Sequence, residues 1–195
     1  MKKIIVSQYN PQWVSQFESL HNAIWPHISD ITLTLEHIGS TSVPGLAAKP
    51  IIDLTIVVPD EDSMLIVISR LASIGIKHRG NLGILGREAF AELHGYPEHN
   101  LYACISGSQP LRNHIAIRDA LRSNRKLAKE YGELKYSLAS KYENDIDSYV
   151  EGKSSFLLHI LKDCGFSNEA IDEIENFNRK PQNRSNENIH LTGNN

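Results

Sequence analysis

The sequence predicts an α+β (α/β) protein in which the first half of the chain builds a small mixed β-sheet packed by helices and the second half is mostly helical. Three observations carry this. The stretch from Glu36 to Val58, EHIGSTSVPGLAAKPIIDLTIVV, reads as two buried strands joined by a small-residue loop. From Gln109 onward the apolar spacing changes from period two to helical. The chain's 195 residues, 41% hydrophobic and 22% charged, suffice to bury one full core and show no obvious split into domains. One domain is therefore expected over 1–177, followed by a disordered polar tail over 178–195.

The elements follow in order. Residues 3–6 read as a short edge strand. Asn10-Pro11 supplies a capping residue and a proline at the first helical position, and the helix continues to about Ile28 with Trp13, Phe17, Leu20, Ile24 and Ile28 on one stripe. Ile31, Leu33 and Leu35 alternate with Thr32, Thr34 and Glu36, which predicts a strand whose odd positions face the core. A strand at 51–58 comes next, then a helix from Pro59-Asp60 to Gly75 with Met64, Leu65, Ile68 and Leu71 inward. Glycines punctuate 76–98, where Glu88 to Leu93 is the best strand candidate, and Leu101 to Ile105 forms another. Three helices then carry Leu111, Ile115 and Leu121; Leu127, Tyr131, Leu134, Leu138 and Tyr142; and Val150, Phe156, Leu157, Ile160 and Leu161. Gly165 ends the third, and 167–177 forms a last short helix.

Composition bounds the function. A net charge of -3 gives no overall basic field, so nonspecific binding to nucleic acid or anionic membrane is not indicated. The opening apolar run stops after Val6, too short for a signal peptide, and no stretch is long enough for a membrane helix. Cys104 and Cys164 have no metal spacing and read as reduced thiols of a cytoplasmic protein. Lys126, Lys129, Lys135 and Lys141, mixed with Glu130, Glu133 and Glu143, read as a solvated helix face.

Asp53 interrupts the apolar run Ile51-Ile52-Leu54-Ile56-Val57, and a charged carboxylate left unpaired there would cost several kcal/mol. It is therefore expected to reach a cleft, a cation or a set of donors. The preceding loop offers Gly39 and the hydroxyls of Ser40, Thr41 and Ser42 to an anion, with Lys49 as a cation at its far end. Phosphate is the natural ligand, although the spacing does not meet the Walker loop. A second reading stays open, in which Gly39, Pro44, Gly45 and Pro50 only shape a tight connection.

Ile38-Gly39-Ser40 followed by Asp53-Leu54-Thr55 is similar to the nucleotidyltransferase signature, a hydrophobic-Gly-Ser turn before a strand bearing Asp-x-Asp/Glu. More closely, HIGSTSVPGLAAKPIIDL, HNLYAC at 99–104 and LRNHIAIRD at 111–119 resemble the GrpB family from about Val6 to about Gly165. That family is similar to the polymerase-β-like nucleotidyltransferase superfamily, and its domain also occurs fused to dephospho-CoA kinases. The resemblance implies a nucleotidyltransferase-like fold in which Gly39 and Ser40 hold the phosphates of a nucleoside triphosphate. Asp53 would bind Mg²⁺ or Mn²⁺, for transfer of a nucleotidyl group to a hydroxyl of a small molecule, protein or RNA.

The chain departs from the signature at position 55, where threonine replaces the second carboxylate. His99 stands at the family's His motif and is a candidate substitute ligand or general base beside Asp53, with Glu36 a further contributor. His114 and Arg118, four apart on one helical face beside Asp119, form a candidate grip for phosphate or carboxylate. The rival to an enzyme is a nucleotide- or coenzyme-binding module, or an accessory domain, that has lost its metal chemistry.

Overall fold

The computed structural model describes residues 3–178. The expected tail therefore lies outside the described residues from 179 on. Four strands form one mixed sheet: β1 (Thr34–Ile38), β2 (Ile52–Val58), β3 (Arg87–Phe90) and β4 (His99–Ile105), in the order β1-β2-β4-β3. β2 runs antiparallel to β1 and parallel to β4, while β3 runs antiparallel to β4. Six helices surround it: α1 (Gln12–Ile24), α2 (Glu61–Ser73), α3 (Gln109–Ser123), α4 (Arg125–Lys141), α5 (Ile146–Asp163) and α6 (Asn168–Asn178).

The alternation of β2 decides the architecture. Ile52, Leu54, Ile56 and Val58 point to one face, where they meet Leu101 and Ala103 of β4 and the inward residues of α1 and α2, and all four are fully buried. Each such side chain contributes about 1.5–3 kcal/mol of burial. Asp53, Thr55 and Val57 point to the other face, where Val57 packs with Cys104 and Leu111 under α3. The alternation thus takes Asp53 out of the apolar layer in which its sequence neighbours lie.

Local signals end the elements much as expected. Asn10 caps α1 through a 3.0 Å bond from Gln12 N–H, and Asp60 caps α2 through a 2.8 Å bond from Ser63 N–H. A 3-10 turn, Trp25–His27, replaces the last helical turn expected before Ile28. β1 begins three residues later than the alternation implied, so Leu35 is buried while Leu33 is 57% exposed. Residues 3–6 form no strand; Ser7 makes a single bridge to Ala48, and Ile4 N–H donates to the Glu143 carbonyl. That hydrogen bond ties the N-terminal segment to the connection between α4 and α5.

The helical half packs by close approach. Gly132 of α4 sits against the 46–47 loop, where a Cβ would lie 3.6 Å from Ala47 Cβ. Gly152 of α5 abuts Leu138 of α4, and a Cβ there would stand 2.5 Å from Leu138 Cδ2. Gly152 lets α5 approach α4, while Gly132 faces the loop that precedes β2. Among the described residues no helix is long and apolar enough to cross a membrane.

Candidate functional site

Gly39 ends β1 with φ +68° and opens a short 3-10 turn, Ser40–Ser42. Ile38 and Asp53 are paired across the two strands, so this turn lies directly beside Asp53. A Cβ at position 39 would overlap Asp53 Oδ2 and stand 2.8 Å from its Cγ. Only glycine meets both the backbone conformation and the approach. On the other side of β2, Asn100 pairs with Asp53 across the parallel ladder, and its Nδ2 donates to Asp53 Oδ1 at 2.8 Å.

The helical half aims cations at this carboxylate. Burial pushes the Asp53 carboxyl up, against the opposing pull of the Asn100 hydrogen bond and the charges of Lys153, Lys49 and Lys135. Lys135 is 2% exposed, its Nζ stands 4.4 Å from the centre of the Tyr131 ring, and that buried Nζ has no hydrogen-bond partner. Burial lowers it to about 7, with Lys153 pulling the same way and Asp53 opposing. Lys153 lies over Tyr149 at 4.6 Å and is lowered to about 8 by burial, which Asp53 again opposes. Tyr131 is fully enclosed, and burial raises its hydroxyl. Three lysines thus stand within the electrostatic reach of one carboxylate, and among the described residues no ion pair joins any of them to Asp53.

Of the residues singled out from sequence, Gly39 and Asp53 are in direct contact, Ser40 lies in the adjoining turn, and Lys49 lies within electrostatic reach of Asp53. The others are engaged elsewhere in the fold. Thr41 and Ser42 are buried, with hydroxyls committed to the turn: Thr41 donates to the Ile51 carbonyl at 3.3 Å and meets His37 Nε2 at 3.0 Å, while Ser42 donates to the Gly39 carbonyl at 2.7 Å. His99 pairs with Ile52, not Asp53, so strand alternation turns it to the opposite face of the sheet. There it is 2% exposed, its Nε2 accepts from Leu93 N–H at 3.0 Å, and its Nδ1 meets the Pro97 carbonyl at 2.7 Å. These two bonds give the imidazole a structural place in the fold.

Arg118 is engaged by groups of the protein itself. Its guanidinium donates to Glu36 Oε2 at 2.7 Å, to Asp119 at 2.8 Å and to the His37 carbonyl at 3.3 Å, pinning α3 to β1. Glu36 is occupied by Arg118 and, at its other oxygen, by Thr34, so it does not serve Asp53. His114 lies against Tyr102 and lines a separate cavity. Sequence reasoning missed Lys135 and Lys153, having placed the former on a solvated face. The signal was present, because Tyr131, Lys135, Leu138 and Tyr142 share one helical stripe, as do Tyr149, Lys153, Phe156 and Ile160.

The family model described as GrpB protein matches residues 3–163. The chain belongs to the GrpB family. The Glutamate-rich protein GrpB of Alkalihalophilus pseudofirmus is 30% identical over 166 residues, covering 83% of this chain and 95% of that protein. UPF0157 protein YqkA of Bacillus subtilis is also 30% identical, over 80% of this chain, which spans only 46% of YqkA. The crystal structure of the conserved protein GrpB from Enterococcus faecalis superposes with a TM-score of 0.73 at 35% identity, covering 87% of this chain and 98% of that one. A chain of the GLD-2/RNP-8 complex superposes at 0.50 and 16% identity, over 82% of this chain and 62% of that one. This likeness to a nucleotidyltransferase-type polymerase is one of fold alone.

The fold raises the question of whether this GrpB chain suits a divalent metal. A dedicated Mg²⁺ site commonly takes one or two carboxylates with open oxygen positions. Here Asp53 is the lone carboxylate, Thr55 is fully buried, Glu36 is committed to Arg118 and His99 is on the other face. No group of three metal-ligating acids, histidines or cysteines occurs among the described residues. The surrounding charges are ammonium groups, which repel a cation, so the donor set does not fit a two-metal centre.

Proposed function

We propose that this chain binds the phosphates of a nucleoside triphosphate in the Asp53 cleft, with lysines taking the place that metal ions hold in nucleotidyltransferases. The buried, partnerless ammonium of Lys135 carries this reading. A cation withdrawn from water costs several kcal/mol unless an anion or acceptors meet it, and a phosphate oxygen supplies both charge and acceptor. Lys49, Lys135 and Lys153 outnumber Asp53, so the cleft favours a polyanion over a single carboxylate. Gly39 keeps the backbone close to Asp53.

The nucleoside part of the ligand rests on the nucleotidyltransferase-type fold, which is an analogy of fold and not of residues. The donor set beside Asp53 does not fit a two-metal centre, so the proposed activity is binding alone. Calorimetric titration with each triphosphate, in chelator and in Mg²⁺ or Mn²⁺, tests the reading. Binding that persists in chelator is expected; binding that needs metal restores the transferase reading, and no binding to the folded protein removes both.

A further inference from the structure

A second cavity lies at the far edge of the sheet, between the loop before β3, the start of α3 and α6. It measures about 440 Å³ and is lined by Ile84, Leu85, Arg87, Pro110, Asn113, His114 and Ile174 among others. Six buried side-chain polar atoms among the described residues have no hydrogen-bond partner, and three belong to this wall: Arg87 Nε, Asn113 Oδ1 and His114 Nδ1. Such atoms are rare, each costs about 1–3 kcal/mol, and their convergence on one cavity marks a built site.

Arg87 is the decisive group. It is only 9% exposed, its Nε has no hydrogen-bond partner among the described residues, and it lies over the face of the Tyr102 ring, 4.7 Å from the centroid. A ring face satisfies charge but accepts none of the in-plane N–H groups. Burial and the charge of Arg87 hold His114 near 4, so the imidazole is neutral and Arg87 is the cavity's cation. Glu173 of α6 stands exposed on the rim. One cation beside a rim carboxylate suits a single negative charge, not a polyphosphate. Asn113 Oδ1 adds an acceptor that asks for an N–H or O–H, and Ile84, Leu85, Pro110 and Ile174 give apolar walls.

We propose that this cavity binds a small organic monocarboxylate with an apolar body and a hydrogen-bond donor, its carboxylate on Arg87 and its donor on Asn113. The site is distinct from the Asp53 cleft. Tyr102 stands between them, with Arg87 against its ring and its hydroxyl within the field of Asp53.

The test uses the whole chain, isotope-labelled, titrated with 4-aminobenzoate and separately with its neutral counterpart 4-aminobenzamide while backbone amide shifts are followed. The expected result is saturable shifts confined to residues 83–87 and 109–114, with the amide weaker by about tenfold or more, the loss for one charge-assisted pair. Arg87→Gln should abolish that preference, and Ile174→Trp, filling the cavity from α6, should abolish binding of both. Equal binding of acid and amide by the wild-type protein overturns the proposal, as does no shift with either, or shifts that cluster around Gly39 and Asp53. The wild-type comparison decides even if Arg87→Gln does not fold.

Discussion

Binding of a triphosphate in the Asp53 cleft should draw protons from solution, and the number follows from the two lysines. Burial holds Lys135 near 7 and Lys153 near 8 in the free protein. At pH 8, Lys135 is then about nine-tenths neutral and Lys153 about half neutral, so a ligand that fixes both as ammonium takes up roughly 1.4 protons. At pH 7 the same arithmetic gives roughly 0.6. Affinity should be highest below pH 7 and fall above it, by up to about tenfold per pH unit for each lysine that has become neutral. The terminal phosphate is already ionised across this range, with its last proton lost near pH 6, and does not produce that fall. Calorimetry in two buffers of different ionisation enthalpy, Tris and HEPES, reads the uptake directly. Zero uptake at pH 8, or an affinity flat from pH 7 to 9, would refute the assignment of the lysines to the phosphates.

Other perturbations separate the parts of the account. Lys135→Met removes a buried, partnerless cation and should raise thermal stability at pH 7, by an amount on the order of 2–4 kcal/mol, while weakening triphosphate binding. Because folding lowers the Lys135 and Lys153 values, the unfolded chain holds more protons between about pH 7 and the ordinary lysine range near 10.4. Wild-type stability should therefore rise with pH across that window, and Lys135→Met should flatten the rise; denaturant titrations at pH 7 and pH 9 check the sign. Gly39→Ala forces a side chain into Asp53 at φ +68° and should cost at least about 1 kcal/mol of stability, with loss of binding, as thermal melts and calorimetry will show. Glu36→Gln removes the charge from one of the partners of the largely buried Arg118 and should destabilise by about 1–3 kcal/mol in denaturant melts without touching triphosphate affinity.

The fold was largely legible because its signals are local. β2 and the helix caps at Asn10 and Asp60 were set by short-range chemistry and occur close to where the sequence placed them. The site was legible only on its strand side. Gly39 and Asp53 are one turn and one strand apart, so the motif reports their meeting. Lys135 and Lys153 lie within the field of the same carboxylate from helices of the second half, and only long-range packing brings those helices beside the strand. His99 shows the opposite failure: it begins the neighbouring strand, yet a register offset of one residue sends it to the other face and gives Asn100 the place beside Asp53. Arg118 and Glu36, far apart in sequence, each looked free for chemistry until the 2.7 Å bond between them joined α3 to β1.

The most direct measurement is triphosphate binding in chelator to wild-type protein and to Asp53→Asn. If lysines hold the phosphates, binding needs no metal, and removing the one carboxylate relieves repulsion, so Asp53→Asn binds as tightly as wild type or more so. Binding that appears only with Mg²⁺ or Mn²⁺ and vanishes in Asp53→Asn would contradict the account and make Asp53 a metal ligand.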